Sequence, residues 1–173
     1  LNVADADVYK FLRYFTFLPL EEIVNIEDAD GAAQGRPEAQ RVLAGEVTAL
    51  VHGQKGLDAA LRITEALFSG NPNDLSEQDF EQLGQDGLPS SQITASHIMD
   101  TPLTNLLTDC GMAKAGREVK DALARNSVTV NGAAKGTGDN MDTDAIFAEA
   151  KAIYGRFYLV RLGKKKYHLF ERI

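Results

Sequence analysis

The sequence has no tryptophan, only one cysteine and no long uninterrupted apolar run. A single cysteine cannot form an intrachain disulfide, so a fold built on disulfides is excluded. A helix that crosses a membrane needs ~18 or more consecutive apolar residues, and no stretch approaches that length. The 173 residues, with 44% hydrophobic and 25% charged side chains, instead have the composition of a globular protein with its own hydrophobic core.

The lone cysteine, Cys110, lies in an apolar helical pattern and is interpreted as a small buried hydrophobe rather than a reactive thiol. A free thiol and the lack of a signal peptide favour a cytoplasmic location. The first residue is leucine, and a helical pattern starts within a few residues of it. We therefore expect the sequence to be a part of a longer protein.

Positive charge is scarce in the first half of the chain and concentrated in the second. Residues 1–89 contain 6 Lys+Arg against 16 Asp+Glu, whereas residues 90–173 contain 12 against 9. The final stretch, residues 145–173, contains 7 against 2. The net charge of −7 therefore conceals an acidic block joined to a basic one, a division typical of proteins that bind a polyanion through one part.

Residues 1–88 predict an all-helical domain, because apolar residues recur at helical spacing along most of this stretch. Gly53 is expected to end one long helix. The acidic, glycine-containing segment 28–35 has no periodicity and is predicted to be a loop. Ser76 followed by Asp79 predicts a capping box at the start of a short helix.

Residues 89–96 predict a linker, since Pro, Ser and Gln replace the periodic pattern, and residues 97–173 predict a small α+β domain. Two helices are expected first, the second over about residues 115–125. A short alternating strand then leads into Asn131-Gly132, a signal for a type I′ turn, and a hairpin is expected near the end of the sequence. The predicted fold class is therefore α+β and multidomain, an all-α domain followed by a small α+β domain.

Basic residues of the second block are predicted to share one helix face and one hairpin tip. Binding to phosphates needs several cations on one surface, because each neutralised phosphate releases condensed counterions. Surfaces that are simply exposed to solvent and bind no ligand also carry such charged faces, so composition alone leaves RNA binding open. The predicted RNA-binding residues are Lys114, Arg117, Lys120, Arg125, Asn131, Arg156, Arg161, Lys164, Lys165 and Lys166.

Residues suited to catalysis or metal binding form no recognisable pattern. His52, His97 and His168 lie far apart and have no acidic or thiol partner at ligand spacing, so no metal site is expected. The sequence has neither a glycine-rich phosphate loop of the Walker type nor a dinucleotide fingerprint. We therefore expect no catalytic residue in this chain.

The stretch LTNLLTDCGMAKAGREVKDALARNSVTVNG, residues 103–132, resembles the S-four-like RNA-binding domain, which is named after a ribosomal small-subunit protein. That family packs two short helices, the αL motif, on a small sheet and uses the second helix and adjoining strands against structured RNA. Gly116 and Asp121 depart from the family, whose members often have basic residues there, and Arg117 partly compensates. The matching positions are Lys114, Glu118, Lys120, Val128, Val130, Asn131 and Gly132.

Residues 5–23, 39–70 and 154–170 are similar to bacterial tyrosyl-tRNA synthetases, in the helical region behind the catalytic domain and at the C-terminus. The resemblance implies a helical anticodon-binding domain followed by the S-four-like RNA-binding domain. It also implies that the chain positions tyrosine-specific tRNA. Asp5 and Asp7 are the candidate anticodon contacts, since carboxylates accept hydrogen bonds from guanine edges.

In that family, an N-terminal Rossmann-type domain with HIGH-like and KMSKS-like signatures activates tyrosine with ATP and transfers it to tRNA. Neither signature occurs in these 173 residues. The resemblance therefore implies ATP and Mg²⁺ as cofactors of the parent enzyme, and no cofactor for this chain. It implies tRNA as the partner, with no DNA or membrane partner, a monomeric fragment and a homodimeric parent.

Two other functions compete with this interpretation. A ribosome-associated or protein-interaction module that carries an S-four-like domain would prefer ribosomal RNA or a protein to tRNA. An enzyme with its own active site is disfavoured, because no reactive group of residues is recognisable.

Overall fold

The computed structural model describes residues 3–33, 35, 37–69, 71–139 and 142–173. The chain divides into two compact units, Leu1–Leu61 and Arg62–Ile173. In chain order the helices and strands are α1 (Asp5–Phe15), α2 (Leu20–Ala32), α3 (Ala39–Ser69), α4 (Glu77–Gln82), β1 (Ser90–Ile93), α5 (Ala95–Asp100), α6 (Leu103–Asp109), α7 (Gly116–Ala124), β2 (Val128–Val130), β3 (Ala133–Lys135), α8 (Thr143–Ile146), β4 (Phe157–Leu162) and β5 (Lys166–Arg172).

The first unit is built from α1, α2 and the first part of α3 around a small apolar core. The core side chains are Val8, Leu12, Ile23, Ala39 and Leu43. They recur at helical spacing and each helix buries one apolar face, so this unit confirms the prediction of helices from periodicity. Among the described helices of the chain, none combines the length and apolarity needed to cross a membrane.

Asp30, near the end of α2, connects the three helices of the first unit. Its carboxylate accepts hydrogen bonds from the Glu38 and Ala39 backbone N–H groups, at 2.7 and 3.0 Å, and from the Tyr9 hydroxyl at 3.0 Å. Partial burial acts to raise the pKa of Asp30, but these hydrogen bonds hold it below its ordinary value. The carboxylate thereby satisfies backbone donors at the start of α3.

Helix α2 extends further than the sequence analysis predicted. Residues 28–32, expected to be part of a loop, continue the helix to Ala32. Glycine in a helix costs only ~1 kcal/mol relative to alanine, and the contacts of Asp30 favour the helical conformation of this segment. Gly53, by contrast, behaves as predicted: its φ of 71° and ψ of 175° interrupt α3 between two helical stretches.

The second unit is built on a five-stranded sheet with the order β1-β5-β4-β2-β3. Strand β1 pairs with β5 in parallel, and the other neighbours are antiparallel. The turn between β2 and β3 is the predicted one, since Asn131 and Gly132 both have the positive φ that a type I′ turn requires. The predicted hairpin near the end of the sequence is β4 and β5.

Strand β1 lies where a linker over residues 89–96 was predicted. Ile93 is buried, and the strand is held by its ladder with β5 and by the bond from the Ile173 N–H to the Ile93 carbonyl at 3.0 Å. A strand at the edge of a sheet that buries one apolar side chain has no alternating pattern to reveal it. Its polar composition, typical of a loop, therefore concealed a strand.

The sheet is covered on both faces. Helices α5 to α8 pack on one side, called the front face here, against Tyr158 and Val160 of β4. On the other side, the back face, Phe157 and Leu159 contact side chains from residues 62–88, including Phe80, whose ring stacks on that of Phe157 with centroids 5.3 Å apart. Residues 62–88 therefore belong to the α+β unit, whereas the sequence analysis extended the helical domain to residue 88.

The reason for this different division lies in β4. Residues Phe157 to Val160 are buried without interruption, so the strand needs an apolar layer on each face. The second helical stretch of α3 and α4 provide the layer on the back face. Amphipathic helices look alike in sequence whichever core they cover, and periodicity alone could not assign this segment to the sheet.

The predicted capping box at the start of α4 is confirmed. The Asp79 carboxylate is only 3% exposed and accepts hydrogen bonds from the Ser76 N–H at 3.0 Å and the Ser76 hydroxyl at 2.8 Å. The Arg62 guanidinium donates a third bond at 3.0 Å. Burial acts to raise the pKa of Asp79, but its bonds to Ser76 and Arg62 hold the pKa below the ordinary value.

We expect Asp79→Ala to lower the free energy of unfolding by about 2 kcal/mol, because a helix cap is lost and the donors of Ser76 and Arg62 lose their acceptor. Denaturant unfolding followed by circular dichroism measures the change. The matched control is Glu65→Ala, at an exposed position of α3, which is expected to change the free energy of unfolding by less than about 0.5 kcal/mol. Equal losses in the two variants would contradict the role given to Asp79.

His168 of β5 is a buried histidine on the front face. Its Nε2 lies 2.9 Å from the Ser91 hydroxyl of β1, and its ring centroid lies 4.5 Å from that of Phe170. Within the described part of the chain, Nδ1 is buried and has no hydrogen-bond partner. Burial lowers the pKa of His168 below its ordinary value, so the imidazole is held in its neutral form.

Acidification should therefore destabilise this unit. The unfolded imidazole gains a proton near pH ~6.5, whereas the folded one does so only at lower pH, so the unfolded state binds more protons between these values. We expect the midpoint of thermal unfolding to fall as pH decreases from about 6.5 to 5, and His168→Gln to flatten this dependence. The exposed His97 provides the control, His97→Gln, which should retain the pH dependence of the unaltered chain. An unchanged dependence in His168→Gln would refute the assignment.

Candidate nucleic-acid interface

Helix α7 and the turn between β4 and β5 bring several predicted RNA-binding residues to one surface. An open groove separates them, and this surface is called the α7 groove below. Its lining is Glu118, Ala122, Arg125, Ser127, Leu162, Gly163, Lys164, Lys165 and Lys166. Four of the ten predicted basic or polar residues therefore line one groove, although they come from segments about forty residues apart.

Helix α7 has the two faces that its sequence predicts. On one side of the helix, Val119, Ala122 and Leu123 pack into the core on the front face of the sheet. This packing fixes the rotation of the helix about its axis. The opposite side presents exposed cations, among them Arg117, whose side chain is 92% exposed. Its ion pair with Asp121, at 3.9 Å, is long and solvated, so it does little to withdraw the guanidinium from a ligand. Lys114, Lys120 and Arg125 are exposed as well.

The turn between β4 and β5 is held firmly at its base. Leu162 and Lys166 form the last cross-strand pair, and Gly163 adopts a φ of 67°, which favours glycine. The Gly163 N–H also donates to the Ser127 carbonyl at 2.7 Å, which joins the turn to the segment between α7 and β2. Lys164 and Lys165 are exposed beyond this anchor.

Lys166 differs from its two neighbours because it is already partnered. Its Nζ donates to the Glu118 carboxylate at 2.7 Å and to the Met112 carbonyl at 3.0 Å. The Lys166 hydrogen bond is the main reason why the pKa of Glu118 lies below its ordinary value, and a bond from the Lys114 backbone N–H adds to it. The bonds of Lys166 to Glu118 and Met112 cross 48 and 54 residues of sequence, and no local pattern revealed them.

Arg156 lies outside the α7 groove, on the back face. Its guanidinium is surrounded by three carboxylates, those of Glu81 at 2.5 Å, Glu77 at 3.6 Å and Glu171 at 3.8 Å. It also lies over the Phe157 ring, 4.6 Å from the centroid. Because the surroundings of Arg156 carry more negative than positive charge, they do not favour a phosphate.

Arg161 and Asn131 lie away from the groove as well. Arg161 shares the back face with Thr129 and Tyr167, and within the described part of the chain its buried Nε has no hydrogen-bond partner. The Asn131 side chain accepts from the Leu159 N–H at 2.8 Å and donates to the Lys151 carbonyl at 2.9 Å. Asn131 thus holds the β2–β3 turn against β4 through one hydrogen bond at its Oδ1 and one at its Nδ2.

Asp5 and Asp7, the candidate anticodon contacts, lie in the first turn of α1 in the first unit. Both residues are exposed, and Asp5 accepts a hydrogen bond from the Gln40 side chain at 2.6 Å. In the described residues, no group of three or more His, Cys, Asp or Glu side chains is arranged to hold a metal ion.

A helical unit followed along the chain by an α+β unit that carries a basic groove agrees with the class expected from the resemblance, the C-terminal region of an aminoacyl-tRNA synthetase. The family model described as "Tyrosine--tRNA ligase SYY-like C-terminal domain" matches residues 79–170, which is more than half of the sequence. The chain therefore belongs to the tyrosine--tRNA ligase family, through this C-terminal domain.

Curated relatives extend the similarity to nearly the whole chain. A tyrosine--tRNA ligase of Dechloromonas aromatica (strain RCB) is 48% identical over 171 residues, which is 99% of this chain. Those of Aliivibrio fischeri (strain MJ11) and Escherichia coli O8 (strain IAI1) are each 44% identical over 98% of it. The chain spans about 38% of the length of each of these relatives.

The contacts of Asn131 predict that its substitution affects stability. Asn131→Ala removes two hydrogen bonds and leaves a residue that disfavours positive φ, so we expect a loss of about 2–3 kcal/mol in the free energy of unfolding. Asn131→Gly removes the same bonds but tolerates the backbone conformation, and should cost about 1 kcal/mol less. Denaturant unfolding of both variants measures the difference. Unaltered stability in both would contradict a structural role for this side chain.

Proposed function

We propose that the chain is the tRNA-binding part of a tyrosine--tRNA ligase, and that it positions tRNA(Tyr) for tyrosylation by a catalytic domain outside this sequence. The observation that carries the proposal is the α7 groove, where exposed cations from a helix and a hairpin share one surface. This surface belongs to the segment that the family model matches. The relatives are named tyrosine--tRNA ligases, which supports tRNA as the ligand.

The chemistry of the groove favours the backbone of structured RNA. Lys164, Lys165 and Arg125 present positive charge at positions set by the fold, and phosphate binding depends on such charge because it releases counterions. A rigid helix beside a rigid turn is complementary to a particular backbone shape rather than to a base sequence. Proteins recognise folded RNA mainly through its shape and its phosphate and ribose groups, so the groove is suited to a stem or an arm of tRNA.

The other properties of the parent enzyme follow from the same proposal. Its catalytic domain would activate tyrosine with ATP and Mg²⁺ in the cytoplasm, and would form the homodimer. Within this chain, the first unit would contact the anticodon through Asp7, which is exposed, and through Asp5 if its bond to Gln40 opens. Carboxylates can accept hydrogen bonds from the amino group of guanine.

Reversal of the two exposed lysines of the turn, Lys164 and Lys165, should weaken tRNA binding. We expect Lys164→Glu/Lys165→Glu to reduce affinity for tRNA(Tyr) transcript at least about tenfold near physiological salt, and to reduce the slope of log affinity against log salt by about 1.5, because two phosphate contacts are lost. Filter binding over a range of potassium chloride concentrations measures both quantities.

The matched control reverses two lysines of the same unit that do not line the groove, in Lys135→Glu/Lys151→Glu. It makes the same change in net charge, and should reduce affinity by less than about threefold through long-range charge alone. Equal losses in the two double variants would show that the α7 groove is not the binding surface. A preference for ribosomal RNA over tRNA would favour a ribosome-associated module instead.

A further inference from the structure

The turn between β4 and β5 is fixed on both sides of its two exposed lysines, Lys164 and Lys165. On one side, the Gly163 N–H donates to the Ser127 carbonyl at 2.7 Å. On the other side, the Lys166 ammonium donates to the Glu118 carboxylate at 2.7 Å and to the Met112 carbonyl at 3.0 Å. Lys164 and Lys165 lie between these two anchors, so the backbone that carries them has little freedom to move away from α7.

Glu118 joins three segments of the chain through a single carboxylate. One oxygen accepts from Lys166 at the start of β5, and the other accepts from the Lys114 backbone N–H at 2.9 Å, in the segment before α7. The residue itself belongs to the first turn of α7. We call this set of contacts, formed by Glu118, Lys166, Lys114 and Met112, the Glu118 clamp.

A carboxylate in a basic groove would ordinarily oppose the binding of an anion. Here both of its oxygens are engaged by donors, and the adjacent ammonium neutralises its charge. A phosphate that competed for Lys166 would have to replace both a charged carboxylate and a backbone carbonyl. The exposed ammonium groups of Lys164 and Lys165, by contrast, need only exchange water.

We propose that Glu118 is a positioning residue for RNA binding, that Lys166 serves the clamp rather than a phosphate, and that Lys164, Lys165 and Arg125 make the phosphate contacts. This inference rests on the proposed function, and it assigns Lys166 a different role from that of Lys164 and Lys165. It predicts that substitutions of two adjacent lysines, Lys165 in the turn and Lys166 at the start of β5, change RNA affinity in different ways. It also predicts that an acidic residue supports the binding of a polyanion.

A charge-swap cycle on the full 173-residue chain tests this division. Lys166→Glu should weaken the binding of tRNA(Tyr) transcript at least tenfold, since it breaks the clamp and places two carboxylates together. Glu118→Lys alone should weaken it as well, although it adds positive charge to the groove. The double variant Glu118→Lys/Lys166→Glu restores an ion pair with reversed polarity but not the bonds to Lys114 and Met112, so it should bind at least about threefold more tightly than Lys166→Glu without reaching the affinity of the unaltered chain.

The matched control repeats the cycle at Lys165 instead of Lys166. Lys165→Glu should weaken binding, and adding Glu118→Lys restores the net charge without restoring a clamp, so affinity should not recover. A double-mutant cycle should therefore show coupling of tenfold or more between positions 118 and 166, and less than about twofold between positions 118 and 165. Equal coupling in the two cycles, or tighter binding by Glu118→Lys alone, would overturn the inference.

Neutral variants provide a second measurement if the reversed ones fold poorly. Lys165→Met should reduce the slope of log affinity against log salt by about 0.7–0.9, the value of one phosphate contact, whereas Lys166→Met should lower affinity and leave the slope unchanged. Equal reductions of the slope would show that Lys166 binds phosphate, and would overturn its assignment to the clamp.

The clamp can also be observed without RNA. A hydrogen-bonded ammonium exchanges its protons slowly, so ¹⁵N-labelled lysine should give a protected Nζ signal for Lys166 that disappears in Glu118→Ala. If the signal is present but the unaltered chain does not bind tRNA, the proposed function fails while the clamp stands. If tRNA binds and the signal is absent, the inference fails while the proposed function stands.

Discussion

Strand β4 must bury apolar side chains on both of its faces, and the architecture of the α+β unit follows from that constraint. Tyr158 and Val160 need cover on the front face, and Phe157 and Leu159 need it on the back. Helices α5 to α8 provide the first layer, while α4 and the preceding helical stretch provide the second. Because α7 is part of the front layer, its rotation is set by its buried side, and the direction of its cations follows from the packing of the core.

The same layering separates the charges of this unit. On the back face, Arg156, which directly precedes β4, lies among three glutamates, so its surroundings are locally neutral to acidic. On the front side, the ion pairs that the described residues show for α7 and the lysine turn are those of Arg117 with Asp121 and of Lys166 with Glu118. Exposed cations of this unit are therefore grouped on the side of α7 and the lysine turn, which favours the approach of an RNA backbone from that side.

Features set by local sequence were predictable, and features set by distant contacts were not. The helical faces of α1 and α7, the capping box at Ser76 and the Asn131-Gly132 turn each depend on residues a few positions apart, and all are confirmed. Strand β1 was missed because its partner lies about eighty residues away and only Ile93 is buried. The predicted RNA-binding residues do not all line one groove, for the same reason. Lys166 meets Glu118 across 48 residues, and Arg156 meets Glu81 across 75.

The strand order has a consequence for the synthesis of the protein. β5 is the last strand in chain order, yet it lies inside the sheet, between β1 and β4. β1 therefore remains without a partner strand while all the intervening residues are translated, and Leu169 is absent from the back face during that time. The ribosome must release nearly the whole unit before its sheet can close. A nascent chain that stalls within the lysine turn would consequently expose both an unpaired strand and an open core, and both features favour aggregation.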